Sequence, residues 1–206
     1  MAKITIIGSG MMGSALAFPA RENKNEVNLV GTHLDREIIE TCIKTDRHPK
    51  FTRDFPAGIN YFQIEDVEKA IEGSDLIIGG VSSFGVEWFG EKILPLIPEN
   101  IPVITVTKGL LDTPDGRLIT YIDYWQGVCE KLGKKHSLNA IGGPAQATSL
   151  SRTTRPRSPF AVRILTCLTR SVPIWRPTII ISVFRPISSA SKARLLLKTV
   201  TRSELR

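Results

Sequence analysis

Ile4-Thr5-Ile6-Ile7-Gly8-Ser9-Gly10-Met11-Met12-Gly13-Ser14-Ala15-Leu16-Ala17 is the stretch whose reading decides the fold of this chain. Its first four residues form an apolar, β-branched run that reads as a strand buried on both faces. The glycines follow at once in Gly-x-Gly-x-x-Gly spacing, each with its own task. Gly8 lets the chain turn sharply out of the strand. Gly10, lacking a Cβ, lets a pyrophosphate approach the backbone, and Gly13 lets the next helix lie close to the sheet. Good helix formers come next, so a helix start offers its unpaired N–H groups and the positive end of its dipole to an anion. A second apolar strand, Glu26-Val27-Asn28-Leu29-Val30, returns at βαβ spacing. The pattern predicts an α/β fold of Rossmann-like, doubly wound type with a mainly parallel sheet.

Outward from this unit, the composition changes once along the 206 residues. Residues 1–150 carry a net charge of −4, whereas 151–206 carry +11 with a single acid, Glu204. All 16 glycines lie before residue 144. The chain therefore divides into a dinucleotide-binding domain over 1–150 and an atypical, irregular basic tail over 151–206. Cys42, Cys129 and Cys167 are far apart, odd in number and lack histidines at metal spacing, which predicts reduced thiols, no metal site and a cytoplasmic location. The longest apolar run after the core, 178–184, is far below the ~20 residues a membrane span requires.

Along the domain, the second strand ends in Gly31-Thr32-His33-Leu34-Asp35. An acid at such a strand end holds the ribose 2′-hydroxyl, whereas small polar or basic residues tolerate a 2′-phosphate. Here the acid is delayed to Asp35, which serves equally as ribose ligand or as N-cap of a helix over 36–43, so NAD and NADP both stay open. His33 reads either as a solvated loop residue or as a contact to an adenosine phosphate. A loop leads to a short strand over 60–63, and an amphipathic helix over 65–71 closes at Gly73. A buried strand over 74–81 ends in the small-residue loop Ser82-Ser83-Phe84. A helix over 87–96 precedes a strand over 102–107, which delivers Lys108-Gly109 to the crevice edge. An ammonium there can hold a phosphate or polarise a carbonyl oxygen. A helix is expected over 115–132, with Tyr121, Tyr124 and Trp125 used in packing, and His136 is expected in a solvated basic turn. Leu138-Asn139-Ala140-Ile141-Gly142-Gly143-Pro144-Ala145-Gln146-Ala147 reads as a strand entering a glycine-proline turn and a helix start.

Four of these segments together resemble the amino-terminal domain of the NAD(P)-dependent glycerol-3-phosphate dehydrogenases. They are the glycine turn from Ile7 to Ala17, Ser74-Asp75-Leu76-Ile77-Ile78, Val106-Thr107-Lys108-Gly109, and Gly142-Gly143-Pro144-Ala145-Gln146-Ala147. The resemblance covers residues 1 to about 150, and the Thr-Lys-Gly followed by Gly-Pro singles out this family. It implies that Gly8, Gly10, Met11, Met12, Gly13, Thr32, Lys108 and Ala147 contact NAD or NADP. It also implies that Lys108, Gly143 and Ala145 border the substrate. The family has Ser or Thr where Ala145 stands and often Pro where Ser82 stands.

What the resemblance implies is an oxidoreductase that interconverts dihydroxyacetone phosphate and sn-glycerol 3-phosphate for phospholipid synthesis. No catalytic residue is identified, because the family's acid/base lysine and phosphate-holding groups belong to a second, helical domain that no motif in 151–206 matches. The composition break near Leu150 is expected to reflect a disrupted reading frame, and the chain to bind cofactor with little turnover. A homodimer is expected where the second domain is present. The alternative from another class is a non-catalytic nucleotide-binding module whose basic tail recruits a partner or polyanion by counterion release. Scattering of the arginines among Ile, Leu and Val argues against a nucleic-acid face.

Overall fold

The computed structural model describes residues 2–141 and residue 147. The tail over 151–206, with Cys167, Gly143 and Ala145, lies outside the described residues, so the expectations placed on them are not addressed by it.

Six strands form one parallel sheet in the order β3-β2-β1-β4-β5-β8. They are β1 Lys3–Ile7, β2 Glu26–Val30, β3 Ile59–Phe62, β4 Leu76–Gly79, β5 Val103–Thr105 and β8 Leu138–Ala140. Helices α1 Met11–Glu22, α2 Arg36–Thr45, α3 Val67–Ile71 and α5 Tyr121–Lys131 cover its two faces. This is the doubly wound arrangement expected from the βαβ pattern. Its order reverses between β1 and β4, and ligands of such sheets sit at the carboxyl ends of the strands at that switch.

Alternation along the strands divides the core in two. Ile4 and Ile6 of β1, Leu76 and Ile78 of β4 and Ile104 of β5 pack with Ala15, Leu16 and Phe18 of α1 and Ile39 of α2. Ile7, Ile77 and Val103 face the other side, against Val67, Phe89, Tyr121 and Trp125. Both faces are covered, which is why these strands read as continuous apolar runs. A polar row across β1, β2 and β3 is satisfied internally. Thr5 Oγ1 donates to the Ala70 carbonyl at 2.7 Å, Asn28 Nδ2 donates to the same carbonyl at 2.8 Å, and Asn60 Nδ2 donates to Asn28 Oδ1 at 3.0 Å.

Three local expectations need correction. The helix expected over 115–132 begins only at Tyr121. Ahead of it, β6 Leu110–Asp112 and β7 Leu118–Thr120 form an antiparallel hairpin. Its turn is built by Pro114-Asp115-Gly116: Gly116 takes φ +75°, the Thr113 amide donates to the Arg117 carbonyl at 2.8 Å, and helix propagation stops there. Thr120 then caps α5 through a reciprocal box with Asp123. The helix expected over 87–96 is a composite, running from a 3-10 turn Ser83–Gly85 through α4 Val86–Trp88 and a π turn Phe89–Ile93 to a second 3-10 turn Leu94–Leu96. Pro95, which has no N–H, interrupts a regular ladder. His136, expected in solvent, is only 8 % exposed, and neither ring nitrogen has a hydrogen-bond partner. Desolvation first, and then Lys134, pull its pKa down.

The remaining segments follow the sequence closely. Trp125 is buried and stacks on Phe89 with ring centroids 4.6 Å apart, so the α5 aromatics serve packing. Cys42 and Cys129 are buried free thiols. No helix among the described residues is long and apolar enough to cross a membrane.

Candidate functional site

The β1–α1 turn is held by three glycine backbones in mutual contact. Gly8 adopts φ +110°, and its amide donates to the Val30 carbonyl at 2.9 Å. Gly80, immediately past β4, donates to the Ile7 carbonyl at 2.7 Å. A Cβ on Gly8 would stand 2.7 Å from the Gly80 carbonyl carbon, and one on Gly80 would stand 2.8 Å from Gly13 Cα. One on Gly13 would collide with the Gly8 carbonyl oxygen. Gly10 differs. The nearest atom to a Cβ there is the Gly80 oxygen at 3.9 Å, so the position is open while its neighbours are closed. Gly10 is also the N-cap of α1 and supplies no side-chain cap, so the first-turn amides of Met11, Met12 and Gly13 face outward without an intrahelical acceptor. An open, Cβ-free position at an uncapped helix start fits a pyrophosphate.

Two side chains from distant elements brace this turn. Asp35 occupies the N-cap position of α2 but makes no cap hydrogen bond. Its Oδ2 accepts from the Ser9 amide at 3.2 Å, the Thr32 amide at 3.0 Å and Thr32 Oγ1 at 2.8 Å. It makes no side-chain cap, and through Oδ2 it ties the end of β2 to the glycine turn. His48 sits behind the turn. The Lys50 amide donates to Nδ1 at 3.1 Å, so Nε2 carries the proton and donates to the Ser9 carbonyl at 3.1 Å. Ser14 Oγ donates to that carbonyl as well, at 3.0 Å. Burial lowers the His48 pKa and keeps the ring neutral, which this bonding requires. Ser9 Oγ is itself buried without a hydrogen-bond partner.

Around the turn, the ends of β2, β4 and β5 supply a rim. Thr32 is half-buried, His33 and Leu34 are exposed, and the His33 ring lies 5.3 Å from Trp88. Leu34 is 81 % exposed and Phe84 95 % exposed, two large apolar groups on the loops that flank β1. Met11 and Met12 are half-buried against the core, and Ala147 packs against the same cluster. Lys108 is exposed at the end of β5. Its predecessor Thr107 donates from Oγ1 to the Val81 carbonyl at 2.5 Å, so the lysine is anchored to the loop after β4.

The fold thus brings Gly8, Gly10, Met11, Met12, Gly13, Thr32 and Lys108 to the carboxyl edge of the sheet. Sequence reasoning missed Gly80, His48 and the clasp made by Asp35. Gly79-Gly80 at a strand end was a legible sign of close backbone approach. Nothing local marked His48.

The sequence profile of the family described as "NAD-dependent glycerol-3-phosphate dehydrogenase N-terminus" matches residues 3–155. The NADP(+)-dependent glycerol-3-phosphate dehydrogenase of Archaeoglobus fulgidus is 32 % identical over 153 residues, which are 72 % of this chain and 43 % of that protein. The glycerol-3-phosphate dehydrogenase [NAD(P)+] of Myxococcus xanthus is 26 % identical over 160 residues, covering 78 % and 45 %. Among solved structures, glycerol-3-phosphate dehydrogenase from Coxiella burnetii has the same fold, with a TM-score of 0.59 at 23 % identity over 73 % of this chain and 43 % of that one. The enzyme from Saccharomyces cerevisiae gives 0.62 at 15 % identity, over 90 % and 54 %. The chain spans less than half the length of these two curated relatives. From glycine turn to Lys108, this chain belongs to the NAD-dependent glycerol-3-phosphate dehydrogenase family, whose amino-terminal domain it carries.

Proposed function

We propose that this chain binds NAD or NADP across the carboxyl edge of its sheet, as the nucleotide half of an oxidoreductase interconverting dihydroxyacetone phosphate and sn-glycerol 3-phosphate. The observation that carries the reading is the contrast at the turn. Gly8, Gly13 and Gly80 are closed against one another while Gly10 alone opens onto an uncapped helix start. Structural need explains the first three glycines, and a ligand explains the fourth.

In this reading Gly8, Gly10, Met11, Met12 and Gly13 receive the pyrophosphate, Thr32 lies by the adenosine ribose, and Ala147 borders the cofactor. Leu34 and Phe84 offer apolar surface to the adenine. Asp35 and His48 hold the receiving amides in place, so little ordering remains to be done on binding. Lys108 directs an ammonium into the crevice, where it touches both cofactor and substrate, neutralises phosphate charge and draws electron density from the carbonyl oxygen. Gly143 and Ala145 would let substrate lie close to the backbone. When bound, the nicotinamide supplies the hydride, and the protein's part is to position and polarise. The product, glycerol 3-phosphate, feeds phospholipid synthesis, and the setting is cytoplasmic.

The test is a fluorescence titration of the 206-residue chain with NADH and with NADPH, followed by a turnover assay with dihydroxyacetone phosphate. Saturable cofactor binding in the micromolar range of ordinary enzyme sites is the expected result. Absence of binding to either nucleotide at millimolar concentration overturns the reading.

A further inference from the structure

We propose that Tyr121, the first residue of α5, is a positioning residue for Lys108, so that the phenol and the lysine act as one unit in the crevice. The inference rests on the cofactor-binding reading above and adds to it a residue that touches neither cofactor nor substrate.

A lysine side chain has four rotatable bonds, and its ammonium reaches a fixed point only if the backbone that carries it is fixed. Upstream of Lys108 the anchors are plain. The Val106 amide donates to the Gly79 carbonyl at 3.2 Å, the Thr107 amide to Thr105 Oγ1 at 3.1 Å, and Thr107 Oγ1 to the Val81 carbonyl at 2.5 Å. Downstream the anchor is Tyr121. Gly109 takes φ +143°, and a Cβ built there would stand 2.6 Å from Tyr121 Oη, 3.0 Å from Cζ and 3.1 Å from Cε2. The edge of the phenol therefore lies flush against the Gly109 backbone, and a side chain at 109 would be strained and would press on the phenol. Tyr121 is itself immobilised. It is buried in the core cluster that contains Phe89 and Trp125, and it follows the Thr120–Asp123 capping box, in which the Asp123 amide donates to Thr120 Oγ1 at 3.1 Å and the Thr120 amide to Asp123 Oδ2 at 3.1 Å. The hairpin β6–β7 is the connection that returns the chain from Gly109 to this point. Lys108 is thus gripped between the loop after β4 and the head of α5.

A merely structural tyrosine would lower stability without caring whether Lys108 is present, so a double-mutant cycle separates the roles. NADPH affinity of the full chain is measured for K108A, Y121A and K108A/Y121A, with Y121F as the rescue because it keeps the ring edge on Gly109. K108A is expected to weaken binding about tenfold, the size of one charge-assisted hydrogen bond. Y121A is expected to lose about fivefold, to regain it as Y121F, and to add less than twofold in the K108A background. Far-UV circular dichroism checks folding, and Y121L, which fills the core but falls short of Gly109, stands in if Y121A does not fold. Additive losses, an affinity untouched by Y121A, or one untouched by K108A would each overturn the proposal while leaving cofactor binding intact. Failure of the unaltered chain to bind NADPH instead removes the functional reading itself, and the inference with it.

Discussion

His48 donates from Nε2 to the carbonyl of Ser9 at 3.1 Å, so a buried imidazole 39 residues along the chain holds the backbone of the glycine turn. The bond needs a neutral ring, because Nδ1 is already accepting from the Lys50 amide at 3.1 Å. A protonated ring would have to surrender that acceptor.

A pH dependence of known sign follows. His48 and His136 both have folded-state pKa values below the ordinary 6.5, with desolvation the leading cause for each. Above about pH 6.5 both states are neutral and neither group affects stability. Below it the unfolded chain takes up protons that the folded chain refuses, so stability falls with pH until the folded pKa values are passed. Urea midpoints at pH 8, 7, 6 and 5 should hold level to near 6.5 and then decline, and H48Q should make the decline shallower. A midpoint that rises on acidification, or one equally pH-dependent in H48Q, contradicts this assignment.

Asp35 spends its Oδ2 on Ser9 and Thr32. D35A leaves the Ser9 and Thr32 amides without that acceptor and frees the turn from β2, with a stability cost of about 1 kcal/mol because the site is half-open to water. Cofactor binding should weaken several-fold, since the turn must then be ordered at the expense of affinity. D35N, which keeps one oxygen in place, should recover part of both losses. Urea titration and NADPH titration of the same two variants check the pair of outcomes.

Among the glycines, stability and binding should separate. G80A drives a methyl into Gly13 Cα and the Gly8 oxygen at 2.8 Å, both backbone atoms that cannot step aside, and overpacking of this kind costs about 1–3 kcal/mol. G10A meets nothing nearer than 3.9 Å, and Gly10 has φ −64°, a value alanine adopts without strain. G10A should therefore keep its melting temperature and lose cofactor affinity by tenfold or more. Equal stability losses in the two variants would mean that Gly10 too serves only packing.

The βαβ core was legible because its signals are local. An apolar run, three glycines and a helix-forming run lie within fourteen residues of one another. The Lys108 position was legible for the same reason, as a lysine directly after a buried strand. What escaped depends on distant pairing. Leu118–Thr120 are strand only because Leu110–Asp112 lie opposite, and Asp115, where the sequence suggests a helix start, lies in the turn that folds them back. His136 looks solvated among lysines, yet it is only 8 % exposed. The braces on the glycine turn span 26 residues for Asp35 and 39 for His48, separations at which periodicity says nothing.

Phe84 is where exposure itself becomes the argument. At 95 % exposed, on the loop after β4, it contributes almost nothing to the core, yet a large aromatic group fully in water has no stabilising role to explain it. Leu34 faces the same edge from the loop after β2, 81 % exposed, and β1 with its glycine turn lies between the two loops. An adenine whose pyrophosphate rests on Gly10 would come to lie at this rim, and stacking of a base on an aromatic ring is worth about 1–3 kcal/mol. F84A should accordingly leave the urea midpoint unchanged while weakening NADH and NADPH binding by at least fivefold, and F84W should retain most of the affinity. An intact affinity in F84A would place the adenine elsewhere along the edge, away from the loop that follows β4.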